Sequence, residues 1–71
     1  MEQLLTTTNA VRLSFLIALL RDGNIPVCVF DAGISALEAS IGVFPRRVMV
    51  PSKRLLAAKI LLQNAQEFYD D

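Results

Sequence analysis

The side chains of this 71-residue chain that could take part in chemistry are few, and they concentrate between residues 34 and 54. Arg46 and Arg47 are adjacent, and Ser52 and Lys53 follow soon after them. Cationic side chains bind phosphates and carboxylates, and the backbone N–H groups at a helix start favour anions as well. This pattern indicates a basic corner that could bind an anionic small molecule, for example a nucleotide.

A structural role is the alternative for the two arginines, and it is favoured because exposed charges are the usual condition of protein surfaces. Adjacent residues of a strand point to opposite faces, so Arg46 and Arg47 are not expected to clamp one ligand together. One of them could instead pair with Glu38 or Asp31 and fix the loop before the strand, while the other is solvated.

Glu38 and Ser40 are the polar candidates within that loop. Capping a loop turn and pairing with an arginine explains them better than catalysis does, because the chain has no histidine and no second acid close to Glu38. Cys28, in an apolar strand without a basic neighbour, is expected to be a buried and inert thiol. One cysteine and no histidine also argue against a metal site, so we expect a protein that is not an enzyme and has no cofactor.

Composition predicts association with another chain. Hydrophobic residues make up 54% of the sequence and the mean hydropathy is +0.46. A domain this small buries a modest core, so the apolar surplus is expected to meet a second copy or a partner protein. Seven basic and seven acidic residues cancel, which argues against binding to nucleic acid or to an anionic membrane.

The placement expected for such a chain is the cytoplasm. The longest apolar-rich run, Leu13 to Leu20, is far shorter than the roughly 20 residues that cross a bilayer. The N-terminus lacks the positive region of a signal peptide. A lone reduced cysteine suits a reducing compartment.

The elements that must position these residues follow from hydrophobic periodicity and from turn residues. They are three strands and two helices in one domain, with strands at about residues 2–8, 25–31 and 45–50 and helices at about residues 10–21 and 53–66. Asn9 and Ser52 are predicted to cap the two helices, and Gly23 is predicted to end the first helix in the left-handed conformation. A short tail after residue 67 is expected to fray.

The first helix and the second strand carry apolar residues on more than the one side that would face a single core. Val11, Phe15 and the leucines cover most of the helix circumference, which predicts burial on more than one side. The second strand is apolar on both faces, with Cys28 and Phe30 on the face opposite Val29. We therefore expect that second face to be covered by this chain or by a partner.

The order β-α-β-β-α predicts an α+β domain of ferredoxin-like type. A right-handed β-α-β crossover leaves a slot between its two strands, and a return from the second strand can fill it antiparallel. The expected result is a three-stranded antiparallel or mixed sheet in the order 1-3-2, with both helices on one face.

Three segments resemble a known family: Leu-Leu-Thr-Thr-Thr-Asn-Ala-Val near the start, Leu-Leu-Arg-Asp-Gly-Asn-Ile-Pro-Val after the first helix, and residues 35–51. They are similar to a small prokaryotic family of unknown function labelled "putative signal-transducing protein". The resemblance implies a fold like that of the PII nitrogen-regulatory proteins, whose signalling loop joins the second and third strands, and thus a regulatory role. The chain departs from the family where Ser52-Lys53-Arg54 replaces acidic residues at the start of the last helix.

Overall fold

A computed structural model describes residues 1–31 and 45–71 of the chain. The predicted Glu38 and Ser40 contacts therefore lie outside the described residues. The observed elements, in chain order, are strand β1 (Glu2–Thr7), helix α1 (Ala10–Asp22), strand β2 (Cys28–Asp31), strand β3 (Arg46–Val50), a 3₁₀ turn (Ser52–Arg54) and helix α2 (Leu55–Asn64).

The three strands form an antiparallel sheet in the order β1-β3-β2, which confirms the predicted α+β, ferredoxin-like arrangement. The central strand β3 places Val48 opposite Leu5 on one side and opposite Val29 on the other. The register of β1 shifts between Gln3 and Leu5. An extra residue in a strand alters the alternation of side chains, and here the adjacent Leu4 and Leu5 are both buried.

Both helices pack against the same face of this sheet through a single apolar core. Its buried members come from every layer of the molecule: Leu4, Leu5, Leu13, Leu16, Leu20, Ile25, Val48, Val50, Ala58 and Leu62. Spacing of three or four residues along each helix brings these side chains to one stripe. The polar groups discussed below therefore lie at the rim of one compact core.

Helix α1 begins as predicted and ends differently. The Asn9 side-chain oxygen accepts hydrogen bonds from the backbone N–H groups of Val11 and Arg12, so the predicted N-cap is confirmed. The left-handed residue at the other end is Asn24, with φ 61°, whereas Gly23 has φ −84°. The prediction for Gly23 was wrong because the helix continues through Asp22. A Cβ at position 23 would lie 2.9 Å from a methyl group of Leu61, so a side chain there would require the Leu61 side chain to shift.

Helix α2 also starts later than predicted, because residues 52–54 form a 3₁₀ turn. Ser52 does not cap this turn or the helix; its hydroxyl donates to the Glu2 carboxylate at 3.1 Å. The predicted cap at Ser52 was therefore wrong. Strand β2 likewise begins at Cys28, three residues later than predicted, and buried Ile25 precedes it as part of the turn from α1.

Two expectations about burial were wrong. Cys28 is exposed, because the face of β2 that carries it points away from the helices. Helix α1 is buried on one side only, and Val11 and Phe15 are 81% and 50% exposed. The second face of β2 stays accessible too, since Phe30 is 45% exposed. The apolar surplus seen in the sequence thus lies on the surface of the described chain.

Candidate functional site

The two adjacent arginines lie at the first residues of β3. Arg46 is opposite Thr7 and Asp31, and Arg47 is opposite Thr6 and Phe30. The Arg47 guanidinium carbon is 5.9 Å from the centre of the Phe30 ring, within the range of a cation–π contact. Arg47 therefore belongs to the face of the sheet that points away from the helices.

The other predicted basic residues lie at the opposite end of β3. At about 3.3 Å per residue, the strand places Val50 roughly 10–13 Å beyond the arginines, and Ser52 and Lys53 come after it. Lys53 is exposed. Arg54 donates a hydrogen bond to the Asn24 backbone carbonyl at 3.2 Å. The structure does not bring the two basic groups together into one corner.

A shallow groove of about 370 Å³ lies beside Arg54, between helix α2 and the turn that follows α1. Its walls are mainly apolar, with Asn64 as the second polar group, and its lining residues are Gly23, Ile25, Arg54, Ala57, Ile60, Leu61 and Asn64. The arrangement combines an apolar surface with one guanidinium group at the edge.

Arg12 on α1, which the sequence analysis did not single out, makes several polar contacts. It is 8% exposed and donates to Glu67 Oε1 at 2.9 Å and to Asp71 Oδ1 at 2.9 Å. It also donates to the backbone carbonyls of Glu67 at 2.6 Å and of Tyr69 at 2.9 Å. The Tyr69 ring stacks on the guanidinium, with its centre 3.8 Å from the central carbon. All these partners come from residues 67–71, named here the acidic segment.

The acidic segment also contacts the outer edge of β1. The Asp70 carboxylate accepts from the Thr6 N–H at 2.7 Å, and the Asp71 N–H donates to the Thr6 carbonyl at 3.1 Å. The Thr8 hydroxyl donates to the Asp71 carbonyl at 3.1 Å. The segment covers part of an edge whose backbone groups would otherwise be open to another strand. The tail that was expected to fray is therefore attached along its length.

Electrostatics in this cluster favours the charged state of both partners. Burial lowers the pKa of Arg12, but hydrogen bonds with Glu67 and Asp71 outweigh burial, and its pKa lies above the ordinary value. The pKa of Asp71 lies below its ordinary value, chiefly because of a hydrogen bond from Thr7 and then because of Arg12. Arg12 therefore stays protonated and Asp71 stays ionised at neutral pH.

A sequence signal for this cluster did exist. Arg12 interrupts an otherwise apolar stretch of α1, and three of the chain's seven acidic residues fall in the five positions 67–71. A buried arginine needs carboxylate or carbonyl partners, and carboxylates are concentrated in the acidic segment. Their pairing depends on the antiparallel packing of α1 beside α2, which the spacing along the chain does not reveal.

Large apolar side chains are exposed on both sides of the described molecule. We use the name helix surface for those of the helical layer, which are Val11 and Phe15 on α1 and Leu56 and Ile60 on α2, each pair one helical turn apart. The sheet surface consists of Cys28 and Phe30 on β2 with their neighbours Met49 and Arg47 on β3.

Within residues 1–31 and 45–71, no group of three or more histidine, cysteine, aspartate or glutamate side chains is arranged to hold a metal ion. The same residues include no helix whose length and apolar character would let it cross a membrane.

Comparison with models of protein families identifies a match. The model of a family described as "Putative prokaryotic signal transducing protein" matches residues 1–66. This range includes every element of the fold and Arg12, and it stops just before the acidic segment. A search of curated proteins and a search of solved structures found no match.

Proposed function

The chain belongs to the family described as "Putative prokaryotic signal transducing protein", and on this premise we propose that it is a cytoplasmic, non-enzymatic regulatory module that acts by self-association. Its helix surface forms the contact between two copies. A signalling protein that catalyses no reaction must act by binding. Exposed apolar patches larger than those usual on the surface of a monomeric protein mark such binding sites.

The observation that carries this proposal is the exposure of the helix surface. Leu56 is 70% exposed and Val11 is 81% exposed, although burying a large aliphatic or aromatic side chain contributes about 1.5–3 kcal/mol. Four such side chains on the outer side of one helical layer are costly to keep in water. A second copy that packs its own helices against them would remove this surface from solvent.

The sheet surface is the less favourable contact. Arg47 lies beside Phe30 there, and a partner would have to remove its guanidinium from water along with the apolar groups. On the helix side, Arg54 lines a groove together with Ile60, whereas Val11, Phe15 and Leu56 do not line it.

Sedimentation equilibrium of two matched variants tests the proposal. Phe15→Ser removes a half-exposed ring from the helix surface, and Phe30→Ser removes a ring of similar exposure from the sheet surface. A two-fold interface contains Phe15 twice, so its loss is expected to cost about 2 kcal/mol and to raise the dimer Kd about 30-fold. Phe30→Ser is expected to leave the Kd within about threefold of the original value.

A strictly monomeric parent chain at high concentration would refute self-association. A parent dimer that is weakened by Phe30→Ser and unaffected by Phe15→Ser would move the interface to the sheet surface. Urea unfolding of both variants checks that each still folds, since a misfolded chain also loses its dimer.

A second candidate function is the binding of an anionic small molecule, and the groove beside Arg54 is the observation that favours it. We propose that Arg54 and the nearby Lys53 hold the anion, while Ile60 and Leu61 contact an apolar part of the ligand. Thermal unfolding with inorganic phosphate and with nucleotides tests this, because a ligand at 100 times its Kd adds about 2.7 kcal/mol. The shift should disappear in Arg54→Gln and persist in Arg46→Gln; a shift lost only in Arg46→Gln would contradict this placement.

A further inference from the structure

Charge is divided unequally between the acidic segment and the rest of the chain. The segment contains Glu67, Asp70 and Asp71 and no basic residue, so its charge is −3. Residues 1–66 contain all seven basic and four acidic residues, so their net charge is +3. The segment and the body of the molecule are therefore complementary in charge, although the whole chain is neutral.

The connection between α2 and the acidic segment is a single strained turn. Gln66 has φ 58°, in the left-handed region that glycine and asparagine enter most readily. Backbone hydrogen bonds from Gln66 to Gln63 and from Glu67 to Leu62 close this turn. If the turn opened, the segment would point away from its own Arg12, and Gln66 could return to an ordinary conformation.

The site that receives the segment is made by other parts of the chain. Arg12, Thr6 and Thr8 provide its polar contacts, and Phe68 packs against the core. An identical site exists on every copy, and it would accept the same segment from a neighbouring molecule with the same contacts. Exchange of an identical element between two copies is an inexpensive route to a dimer, and a short strained hinge favours it.

We propose that two copies of this chain exchange their acidic segments, so that Arg12 of each copy binds residues 67–71 of the other. This inference rests on the proposed self-association and deepens it, because it names the surface and the partner that hold the dimer together. The pair is symmetric, and each copy both gives and receives one segment. The helix surface then supplies the additional contact that the closed monomer lacks.

Isotope-filtered NMR on the native chain provides the test. A solution that mixes isotope-labelled and unlabelled copies, at a concentration where light scattering shows a dimer, should give contacts between the Tyr69 ring of one copy and the Arg12 side chain of the other. A dimer in which these contacts occur only within one copy would overturn the exchange and leave self-association standing. A chain that is monomeric at every concentration would overturn both.

Two glycine variants provide a matched control. Gln66→Gly removes the strain of the closed turn and so stabilises the closed monomer relative to the exchanged dimer. Each hinge is expected to contribute about fivefold, and because the exchanged dimer has two hinges, its Kd should rise about 25-fold. Asn24→Gly changes a residue with nearly the same φ, 61°, at the end of α1, where no segment is exchanged. Its dimer Kd should be unchanged. Equal effects of the two variants, or no effect of Gln66→Gly, would overturn the exchange.

Discussion

At the scale of single residues, Arg12 determines how the last part of the chain is held. Its four hydrogen bonds go to two carboxylates and two backbone carbonyls, and no apolar side chain of similar length can replace them. A hydrogen bond to a charged group contributes about 1.5–3 kcal/mol to the free energy of unfolding, although the contributions of bonds within one network are not additive. We expect Arg12→Met to lower the unfolding free energy by about 2–4 kcal/mol, as measured by urea denaturation.

Arg21 is the matched control for this substitution, because it lies on the same helix and is exposed. Arg21→Met loses only a favourable charge at the helix C-terminus, which is worth at most about 1 kcal/mol. Equal losses in the two variants would show that Arg12 acts through general helix stability and that its contacts to the acidic segment contribute little.

The ionisation of Asp71 adds a dependence on pH. Its pKa is lower in the folded chain than the ordinary value of about 3.9, so it binds a proton more readily when unfolded. The resulting stabilisation is present above about pH 4 and is lost as the pH falls through the lower, folded pKa. Urea denaturation between pH 6 and 2.5 should therefore show a steeper acid loss in the parent chain than in Asp71→Asn. Parallel curves would mean that Thr7 and Arg12 do not stabilise the Asp71 carboxylate.

At the scale of elements, the two helices begin in physically different ways. Asn9 accepts two backbone N–H groups at the start of α1, whereas Ser52 donates to an exposed carboxylate and leaves α2 without a side-chain cap. Asn9→Ala should cost about 1 kcal/mol of unfolding free energy, while Ser52→Ala should cost no more than about 0.5 kcal/mol. Thermal and urea unfolding of the two variants measure this difference, and a larger loss for Ser52→Ala would contradict the observed start of α2.

The same contrast explains how far the sequence predicted the fold. The order of elements and the Asn9 cap follow from periodicity and local rules, because they depend on residues close together in the chain. The strand order follows instead from the handedness of the β-α-β crossover, which is a rule of topology. The predicted end of α1 was wrong by one residue and the predicted start of α2 by two, since local rules allow either Gly23 or Asn24 to be left-handed and either a cap or a 3₁₀ turn at Ser52.

The candidate site was harder to predict than the fold. Proximity in sequence suggested that Arg46 and Ser52 share a corner, but an extended strand separates residues that are close in sequence. Arg12 and Asp71 are 59 positions apart and yet are in direct contact, which follows only from the packing of the two helices. Contacts of this kind depend on tertiary structure, and the local pattern of a single sequence does not encode them.

At the scale of the whole molecule, the sheet separates two surfaces that should behave differently on association. The helix surface lies on one side, and Cys28 lies on the other, where it is exposed. It is the only cysteine in the chain, so its reactivity reports on the sheet surface alone. A dimer formed through the helix surface and the exchanged segments leaves Cys28 in contact with solvent.

We therefore expect Cys28 to react with a maleimide at the same rate in dilute monomer and in concentrated dimer, with less than a twofold difference. The rate of thiol modification depends on access to the sulfur as well as on its ionisation, so a partner covering the sheet would slow it. Mass spectrometry after timed quenching measures the modified fraction. Phe30→Ser is the control, because it removes the ring that a partner on the sheet surface would contact and leaves Cys28 itself unchanged. Protection that grows with the dimer fraction and disappears in Phe30→Ser would place the interface on the sheet and contradict association through the helices.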